Sequence, residues 1–571
     1  MEYLLGIDLG TTNCSVTAID ENGKTFVIKN RDGEYLTPSA VYFNEVPNTY
    51  TIGKKAKEKA STNPDRLVML VKREMGKKAD EVCPDIITKK PKPYRFWGKN
   101  FSPEEISSKI LRQLKEDAEK ELGTKIKKAV ITCPGYFGQN EKETTRLAGE
   151  FAGFEVMEVI TEPVAAALSY GSSSNKEKEK IFVFDLGGGT FDVTVVNLYS
   201  KENKGKTVEI ECLDGNSRLG GADWDWLLIS HMVKAFKLQH DGIDIYKEHT
   251  EEASRTLGDL KLKVEIAKKE LSSFGVDKTE ISMSYEGKTL CKEITRSDFI
   301  EITRQPTDRC MDYCRNLLSE HNLSWNDIDT ILMVGSMSNC FSVQQALKKL
   351  CGRDIDLGTV INRKTCVSEG AAIKAYYNIC AKNGRPAVVQ TLNEKPAYDK
   401  VDSSKKDDIS VKLLEEIENM EKNGHRLSTV IDSARSAIPA SISLKGHKGD
   451  RDFAKKLLKK DEPYPIERSM DVPLGSDGMN EVDLVVLEGE SENPFECNEL
   501  GRAVLPLEGS HSKVDKVRVT FSIDINGIIQ IAGIDLKTNK AVKAEIKKNN
   551  SMSDFEKQAI IDQIVEDVFT F

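Results

Sequence analysis

The chain has 571 residues, of which 39% are hydrophobic and 30% are charged, and its formal net charge is −9. This length predicts about three to four domains of roughly 150 residues each. The negative charge argues against a general binder of nucleic-acid backbones, and the absence of any run of about eighteen apolar residues argues against a membrane span. The chain begins directly with a predicted strand rather than a secretory leader, so we expect a cytoplasmic protein. The 12 cysteines are scattered without a CxxC pair, which predicts buried free thiols rather than a zinc site.

The first predicted elements are two strands, over residues 3–7 and 15–19, joined by a glycine turn. The sequence around the turn is Gly6-Ile7-Asp8-Leu9-Gly10-Thr11-Thr12-Asn13. Glycine lets consecutive N–H groups converge on an anion, threonine hydroxyls add donors, and an aspartate at the strand end suits a divalent cation. Taken alone, this segment is either an ordinary hairpin turn or a phosphate-binding turn.

Helices and strands then alternate, which is typical of α/β layers. A helix is predicted over residues 103–122, with Ser102 and Glu105 as a capping box and Gly123 as the stop. It is followed by a strand (128–132), a helix (140–152), a strand (155–160) and a helix that Pro163 opens.

A second glycine turn repeats the first, between predicted strands over residues 181–184 and 191–196. Its sequence is Phe184-Asp185-Leu186-Gly187-Gly188-Gly189-Thr190-Phe191-Asp192. The repetition favours a duplicated site, in which two facing hairpins clamp a nucleoside triphosphate and its magnesium between two related lobes. No GxxxxGK[ST] segment occurs and no GxGxxG opens a helix, so P-loop and Rossmann sites are excluded.

Later elements complete the α/β part. An amphipathic helix over residues 260–273 carries Glu265, Lys268 and Ser272 on one side, where polar residues are usually just solvated. A strand over 330–334 breaks at Gly335-Ser336 before a helix over 341–350, whose N-terminus could approach the nucleotide.

The character of the sequence changes near residue 383. Residues 400–424 are charged and predict a connector or insertion with a helix through 413–417. From about residue 438, alternating β runs (481–486, 517–521, 528–531) and the turn Asn526-Gly527 predict an antiparallel β domain. One or two helical turns are predicted within residues 553–569.

The order of these motifs resembles the heat-shock 70 family, the DnaK-like chaperones, over nearly the whole chain. Further segments that carry the resemblance are Val71-Lys72-Arg73, Thr132-Cys133-Pro134-Gly135, Glu162-Pro163-Val164, Leu219-Gly220-Gly221-Ala222-Asp223, Glu270-Leu271-Ser272 and Leu487-Glu488-Gly489-Glu490. The resemblance implies an α/β fold in four parts: an actin-like, two-lobed nucleotide-binding domain (1–382), a charged insertion and linker (383–437), a β-sandwich peptide-binding domain (438–550) and a truncated helical tail (551–571).

The resemblance also implies the ligands and the residues that bind them. The ligands are ATP or ADP with Mg²⁺, and the partners are extended segments of unfolded clients, a J-domain co-chaperone and a nucleotide exchange factor. The implied catalytic residues are Lys72, Glu162, Asp185 and Thr190, with Asp8 and Asp185 toward magnesium. The implied nucleotide-binding residues are Gly10, Thr11, Thr12, Asn13, Gly187, Gly188, Gly189, Gly220, Gly221, Glu265, Lys268, Ser272, Gly335 and Ser336. Val482 and Leu484 are implied to line the peptide groove.

Without the resemblance, several of these residues have ordinary interpretations. Lys72 would be a surface lysine on a basic stretch, and Glu162 an acid at a helix start favoured by the dipole. Val482 and Leu484 could equally be sandwich core.

The chain departs from the family pattern in several places. The run Gly335-Ser336-Met337-Ser338-Asn339 lacks the arginine that family members usually carry beside adenine, Ala222 replaces a usual glutamate, and Asn362-Arg363-Lys364-Thr365 replaces Asn-Pro-Asp-Glu. The apolar linker is replaced by residues 428–432, and a chain ending at Phe571 is expected to lack the long helical lid.

Three functions are therefore weighed. The first is an ATP-hydrolysing, lidless chaperone, which the intact Asp8, Lys72, Glu162, Asp185 and Thr190 favour. The second is a nucleotide-holding scaffold, holdase or exchange factor with little or no turnover, which the altered adenine loop and linker favour. A metabolic kinase ranks last because it gives no role to the β domain.

Overall fold

A computed structural model gives the fold of most of the chain. It describes residues 3–59, 63–82, 92–174, 176–201, 205–248, 250–273, 275–353, 362–384, 387–390, 428–448, 451–507, 509, 511–524, 527–544, 547–548, 560 and 568–569. The predicted helix through 413–417 and most of the predicted tail lie outside these residues. Among the described residues, no helix combines the length and apolar character needed to cross a bilayer.

The first lobe is built on a mixed sheet. Its elements are β1 (Leu4–Asp8), β2 (Asn13–Ile19), β3 (Thr25–Val27), β4 (Thr37–Pro38), β5 (Ala40–Phe43), β6 (Thr49–Ile52), α1 (Lys54–Lys59), β7 (Leu67–Met69), β8 (Tyr94–Phe96), β9 (Lys99–Phe101), α2 (Pro103–Leu122), β10 (Lys128–Cys133), α3 (Gln139–Phe151), β11 (Glu155–Thr161) and α4 (Glu162–Ser173). The main sheet has the order β11-β10-β1-β2-β3, and β1 is parallel to β10 but antiparallel to β2. Helix α2 has the predicted capping box at Ser102 and ends at Gly123 in the left-handed conformation.

The second lobe repeats this arrangement. Its elements are β12 (Lys178–Leu186), β13 (Phe191–Lys201), β14 (Gly205–Asn216), α5 (Gly221–Gln239), α6 (Glu251–Leu271), β15 (Lys278–Tyr285), β16 (Lys288–Thr295), α7 (Arg296–Ile302), α8 (Arg304–Glu320), β17 (Thr330–Val334), α9 (Phe341–Cys351), α10 (Cys366–Lys382), β18 (Ala387–Gln390) and β19 (Ser428–Arg435). Its sheet has the order β17-β12-β13-β14-β19-β18. As in the first lobe, the strand that carries the aspartate of the glycine turn, here β12 with Asp185, lies between a parallel neighbour, β17, and its antiparallel hairpin partner, β13.

Two helices join the lobes where they meet. Residues of α4 and α10 share one buried core with strands of both sheets. The helices cross so closely that a Cβ added to Gly370 would overlap the backbone carbonyl of Ala165, and one added to Gly6 would overlap the backbone of α10. Glycine is therefore required at this crossing, which fixes β1 and α4 relative to each other.

The sandwich follows directly after β19. Its strands are β20 (Ile442–Lys448), β21 (Arg451–Leu458), β22 (Ile466–Pro473), β23 (Glu481–Glu488), β24 (Asn498–Pro506), β25 (Lys516–Ile523), β26 (Ile529–Asp535), β27 (Lys540–Ala544) and β28 (Lys547–Lys548). Five strands (β21-β20-β23-β24-β28) form one sheet and four (β22-β25-β26-β27) the other. The predicted hairpin joins β25 to β26 and has Gly527 at φ +76°, although Asn526 lies outside the described residues.

Two segments differ from the sequence-based expectations. Residues 428–432, expected to be a linker, belong to β19, which pairs in parallel with β14 and antiparallel with β18. In the tail, Ile560 is helical as predicted, whereas Val568–Phe569 form β29, which pairs with β6 because the open edge of that small sheet offers backbone partners. Ile560 packs against Leu147 and Phe151 of α3.

Candidate functional site

The two glycine turns face each other across a cavity of about 70 Å³. Asp8 is the last residue of β1, Asp185 is the residue before the last of β12, and both line the cavity. The predicted residues that also line it are Gly10, Thr11, Thr12, Asn13, Lys72, Glu162, Gly187, Gly188, Thr190, Gly335 and Ser336. The duplicated topology therefore brings thirteen predicted residues together at one point between the lobes.

The turns touch each other through their smallest residues. A Cβ on Gly188 would overlap the side chain of Thr12, and one on Gly189 would overlap that of Thr11. Gly189 and Gly220 do not line the cavity; a Cβ on Gly220 would overlap the backbone of Gly189. These two glycines therefore let the turn and the start of α5 pack closely.

Lys72 is buried and is not the surface lysine that its basic stretch suggests. It lies on a short helical turn over Val71–Glu74, its side chain is 4% exposed, and its ammonium forms an ion pair with Glu162. Burial by itself would lower the pKa of Lys72, but the negative charges of Glu162 and Asp8 outweigh it and raise that pKa. The lysine therefore keeps its positive charge at neutral pH.

The carboxylates of the cavity are crowded. Burial, and then the charge of Glu162, raise the pKa of Asp8 to about 7, although Lys72 and the Thr132 hydroxyl act in the opposite direction. Burial, followed by the charges of Glu162, Asp192 and Asp8, also raises the pKa of Asp185 well above its ordinary value. Lys72 lowers the pKa of both aspartates only in part, so an additional positive charge beside Asp8 and Asp185 would stabilise their ionised forms.

The two crowded aspartates fit a divalent cation, and the turns fit phosphate. No three His, Cys, Asp or Glu side chains among the described residues converge closely enough to ligate a bare metal ion, so the fitting arrangement is a hydrated cation between Asp8 and Asp185. Thr11 Oγ1 is buried and forms no hydrogen bond with any residue that the structure describes. A phosphate oxygen at the turn would satisfy this hydroxyl.

A larger cavity of about 470 Å³ continues from the first. It is lined by the predicted residues Glu265 and Lys268 of α6 and Ser272 at the C-terminus of that helix, together with Gly221 and Ser336. Lys268 Nζ lies 2.6 Å from Asp225 Oδ1 and donates to the carbonyl of Gly221 at 3.0 Å. The cavity is large enough for a nucleoside beside the phosphate turns.

Ion pairs connect the lobes across the cleft. Arg73 Nη2 lies 2.7 Å from Asp223 Oδ2, and its Nε donates to the carbonyl of Gly189 at 2.7 Å. Lys57 Nζ lies 2.9 Å from Glu265 Oε2. These pairs link the first lobe to the second across the cleft.

Sequence reasoning missed four residues at the site. Asp192 is buried opposite Asp185 on the paired strand, and burial raises its pKa well above the ordinary value. Asn339, Arg363 and Lys364 line the small cavity. Asp192 could have been found from its place two residues after Thr190, but the other three are brought in by tertiary structure.

The structure places Val482 and Leu484 away from any open surface. They are 6% and 4% exposed and belong to the core between the two sheets of the sandwich. This agrees with the alternative interpretation of their alternating pattern as core. A peptide side chain would reach them only if the sandwich opened along β23.

The sandwich contacts both lobes of the first domain. Glu488 Oε1 accepts a hydrogen bond from the backbone N–H of Gln139 at 3.4 Å, and Lys142 Nζ lies 3.4 Å from the Tyr464 hydroxyl. On the second lobe, Asp461 Oδ1 accepts from the backbone N–H of Leu213 at 3.3 Å. We call these contacts the docking interface.

Glu488 is expected to make the docking interface sensitive to pH. Burial, and then the charge of Glu141, raise the pKa of Glu488 from 4.5 to about 7, while the N–H of Gln139 and the charge of Lys142 act in the opposite direction. If the undocked carboxyl has its ordinary pKa, docking takes up a proton between pH 4.5 and about 7. Docking is therefore expected to be strongest below this window and to weaken as the pH rises through it.

The variant Glu488→Gln tests this expectation. It is expected to dock more tightly than wild type at pH 8 and to differ little from it at pH 5, measured by energy transfer between dyes on the two domains. Glu481→Gln, at the exposed start of the same strand, is the matched control. Identical pH profiles for wild type and Glu488→Gln would contradict the assignment.

Comparison with known families agrees with this architecture. A family model described as Hsp70 protein matches residues 4–391 and 435–568. The matched ranges include both glycine turns, Lys72, Glu162 and the sandwich strands, and the gap between the ranges contains the charged segment. The predicted fold class is confirmed: the chain belongs to the Hsp70 protein family, with two actin-like lobes followed by a β-sandwich.

Proposed function

We propose that this protein hydrolyses ATP between its two lobes and binds extended apolar segments of unfolded client proteins through its sandwich. Members of its family are, in general, ATP-binding chaperones. The observation that carries the proposal is the convergence of Asp8, Lys72, Glu162 and Asp185 on one cavity between two repeated phosphate-type turns. This composition suits phosphoryl transfer, which needs positioning and charge neutralisation more than a covalent partner.

Each group has a task in this proposal. The hydroxyls of Thr11, Thr12 and Thr190 and the N–H groups of both turns bind phosphate oxygens. The ammonium of Lys72 lies beside the γ-phosphate and stabilises the charge that develops during transfer. Glu162, paired with Lys72, orients the attacking water.

Asp8 and Asp185 would hold magnesium through its waters. Mg²⁺, when bound, neutralises phosphate charge. Because cation binding requires the ionised carboxylates, the raised pKa values of Asp8 and Asp185 mean that these groups release protons as the site fills.

The docking interface supports communication between ATP and peptide. The sandwich touches α3 of the first lobe and β14 of the second, so a change in the lobe arrangement alters its contacts. We further propose a cytoplasmic location and the usual helpers of such a cycle, a J-domain co-chaperone and a nucleotide exchange factor.

Two observations favour a second candidate, a nucleotide-holding scaffold, holdase or exchange factor with little turnover. The run from Gly335 to Asn339 lacks the arginine that family members usually carry beside adenine, and Val482 and Leu484 are buried in the sandwich core. Both candidates bind nucleotide, but only the first couples it to peptide release.

One experiment separates them. A fluorescent extended apolar peptide is bound in ADP, and its release is followed by anisotropy after addition of ATP and magnesium or of ADP alone. The chaperone is expected to release the peptide about fivefold faster or more with ATP, within the usual range of coupling between sites. Equal release rates would support the scaffold instead.

A further inference from the structure

The loop before α10 reaches the nucleotide cavity. Arg363 and Lys364 of this loop both line the 70 Å³ cavity, on which Asp8 and Lys72 also lie. Nη1 of Arg363 donates a hydrogen bond to Oδ1 of Asn339 at 2.8 Å. Asn339 ends the short helical turn Ser336–Asn339 that follows β17. Two loops that are distant in sequence therefore meet at the cavity wall through this hydrogen bond.

The positions of these residues distinguish the phosphate side from the base side. Asn339 and Lys364 line both cavities, so they stand where the two join. Arg363 lines only the small cavity, as do Lys72 and the two aspartates at the turns, Asp8 and Asp185. In contrast, Glu265, Lys268 and Ser272 line only the large one. The guanidinium is thus on the phosphate side of the junction.

We propose that Arg363, held in place by Asn339, binds the diphosphate part of the nucleotide, with Lys364 as a second cation at the same junction. A guanidinium offers paired donors that match phosphate oxygens and keeps its charge at all physiological pH values. This inference rests on the proposed nucleotide site and assigns to it a contact from a loop where the family pattern has Asn-Pro-Asp-Glu.

The placement of the guanidinium affects which ligands the site prefers. The run from Gly335 to Asn339 lacks the arginine that the family usually has beside adenine, and Arg363 supplies a guanidinium toward the phosphates instead. Affinity should then depend mainly on the number of phosphates, so the preference for ADP over adenosine should be large and should shrink as salt is raised.

Calorimetric titration of the full chain with ADP and with adenosine tests the assignment. Arg363→Ala is expected to weaken ADP by roughly tenfold or more, as for loss of a hydrogen bond between charged groups, and to change adenosine affinity by no more than about twofold. Arg363→Lys keeps the charge but not the paired donors, so its affinity for ADP is expected to lie between that of wild type and that of Arg363→Ala.

Arg315→Ala is the matched control, because this arginine is exposed on α8 and pairs with Asp312. Unchanged ADP affinity in Arg363→Ala would overturn the inference, as would equal losses for ADP and adenosine, which would place the guanidinium on the base. Failure of wild type to bind either ligand would instead refute the proposed function. If Arg363→Ala unfolds, the same ADP and adenosine titrations of Arg363→Lys test the assignment.

Discussion

Lys72→Ala is expected to reduce single-turnover ATP hydrolysis by about a hundredfold or more while leaving ATP affinity within roughly tenfold of wild type. Removing one preorganised charge from a transition state typically has an effect of this size, and a group that acts mainly on the transition state contributes little to ground-state binding. The measurement is the rate of ATP cleavage with enzyme in excess.

Because Lys72 is buried, the experiment needs a control for loss of stability. The substitution leaves Glu162 without its ammonium partner, so thermal unfolding is followed in parallel. Lys78→Ala, an exposed lysine six residues further on, removes the same charge outside the cavity and should hydrolyse ATP at the wild-type rate. An unchanged single-turnover rate in Lys72→Ala would rule out the assigned role.

The second large effect is expected from Gly370→Ala at the crossing of α4 and α10. Alanine is the better helix former by about 1 kcal/mol, yet its Cβ would overlap the backbone carbonyl of Ala165. Because both helices are packed in the core shared by the lobes, neither can move cheaply. We expect a loss of about 3 kcal/mol or more in the free energy of unfolding.

Nucleotide affinity should fall with stability in this variant, since α4 begins at Glu162 and α10 packs on the strand that carries Asp8. Denaturant unfolding and ADP titration check the two effects. Gly475→Ala is the control, because an added Cβ there meets nothing within 4 Å. Equal stability of Gly370→Ala and wild type would show that the helices can separate.

Local patterns in the sequence were sufficient to predict much of the fold. The capping box at Ser102 and the glycine stop at Gly123 each depend on neighbouring residues, and the structure has them where predicted. The strand predicted over 181–184 is present and is longer, Lys178–Leu186. The duplicated turn also identified both aspartates, because repetition is visible without knowledge of tertiary contacts.

What could not be predicted depends on distant contacts. The burial of Lys72 requires α4 to deliver Glu162 from ninety positions away. The meeting of Arg363 with Asn339 joins two loops, and the pairing of β19 with β14 follows from sheet geometry far from residues 428–435. For Val482, the alternation of apolar and polar residues along the strand is the same whether the apolar side chains pack in a core or line a groove.

The pairing of β19 has a mechanical consequence for any peptide that the sandwich would hold under tension. The sandwich begins right after this strand, which is bonded on both sides within the sheet of the second lobe. A force on bound peptide, directed along β19, would load these hydrogen bonds together in shear rather than one after another. The sandwich would then transmit tension to the second lobe through a firm anchor, and the strand should resist extraction until several bonds break at once.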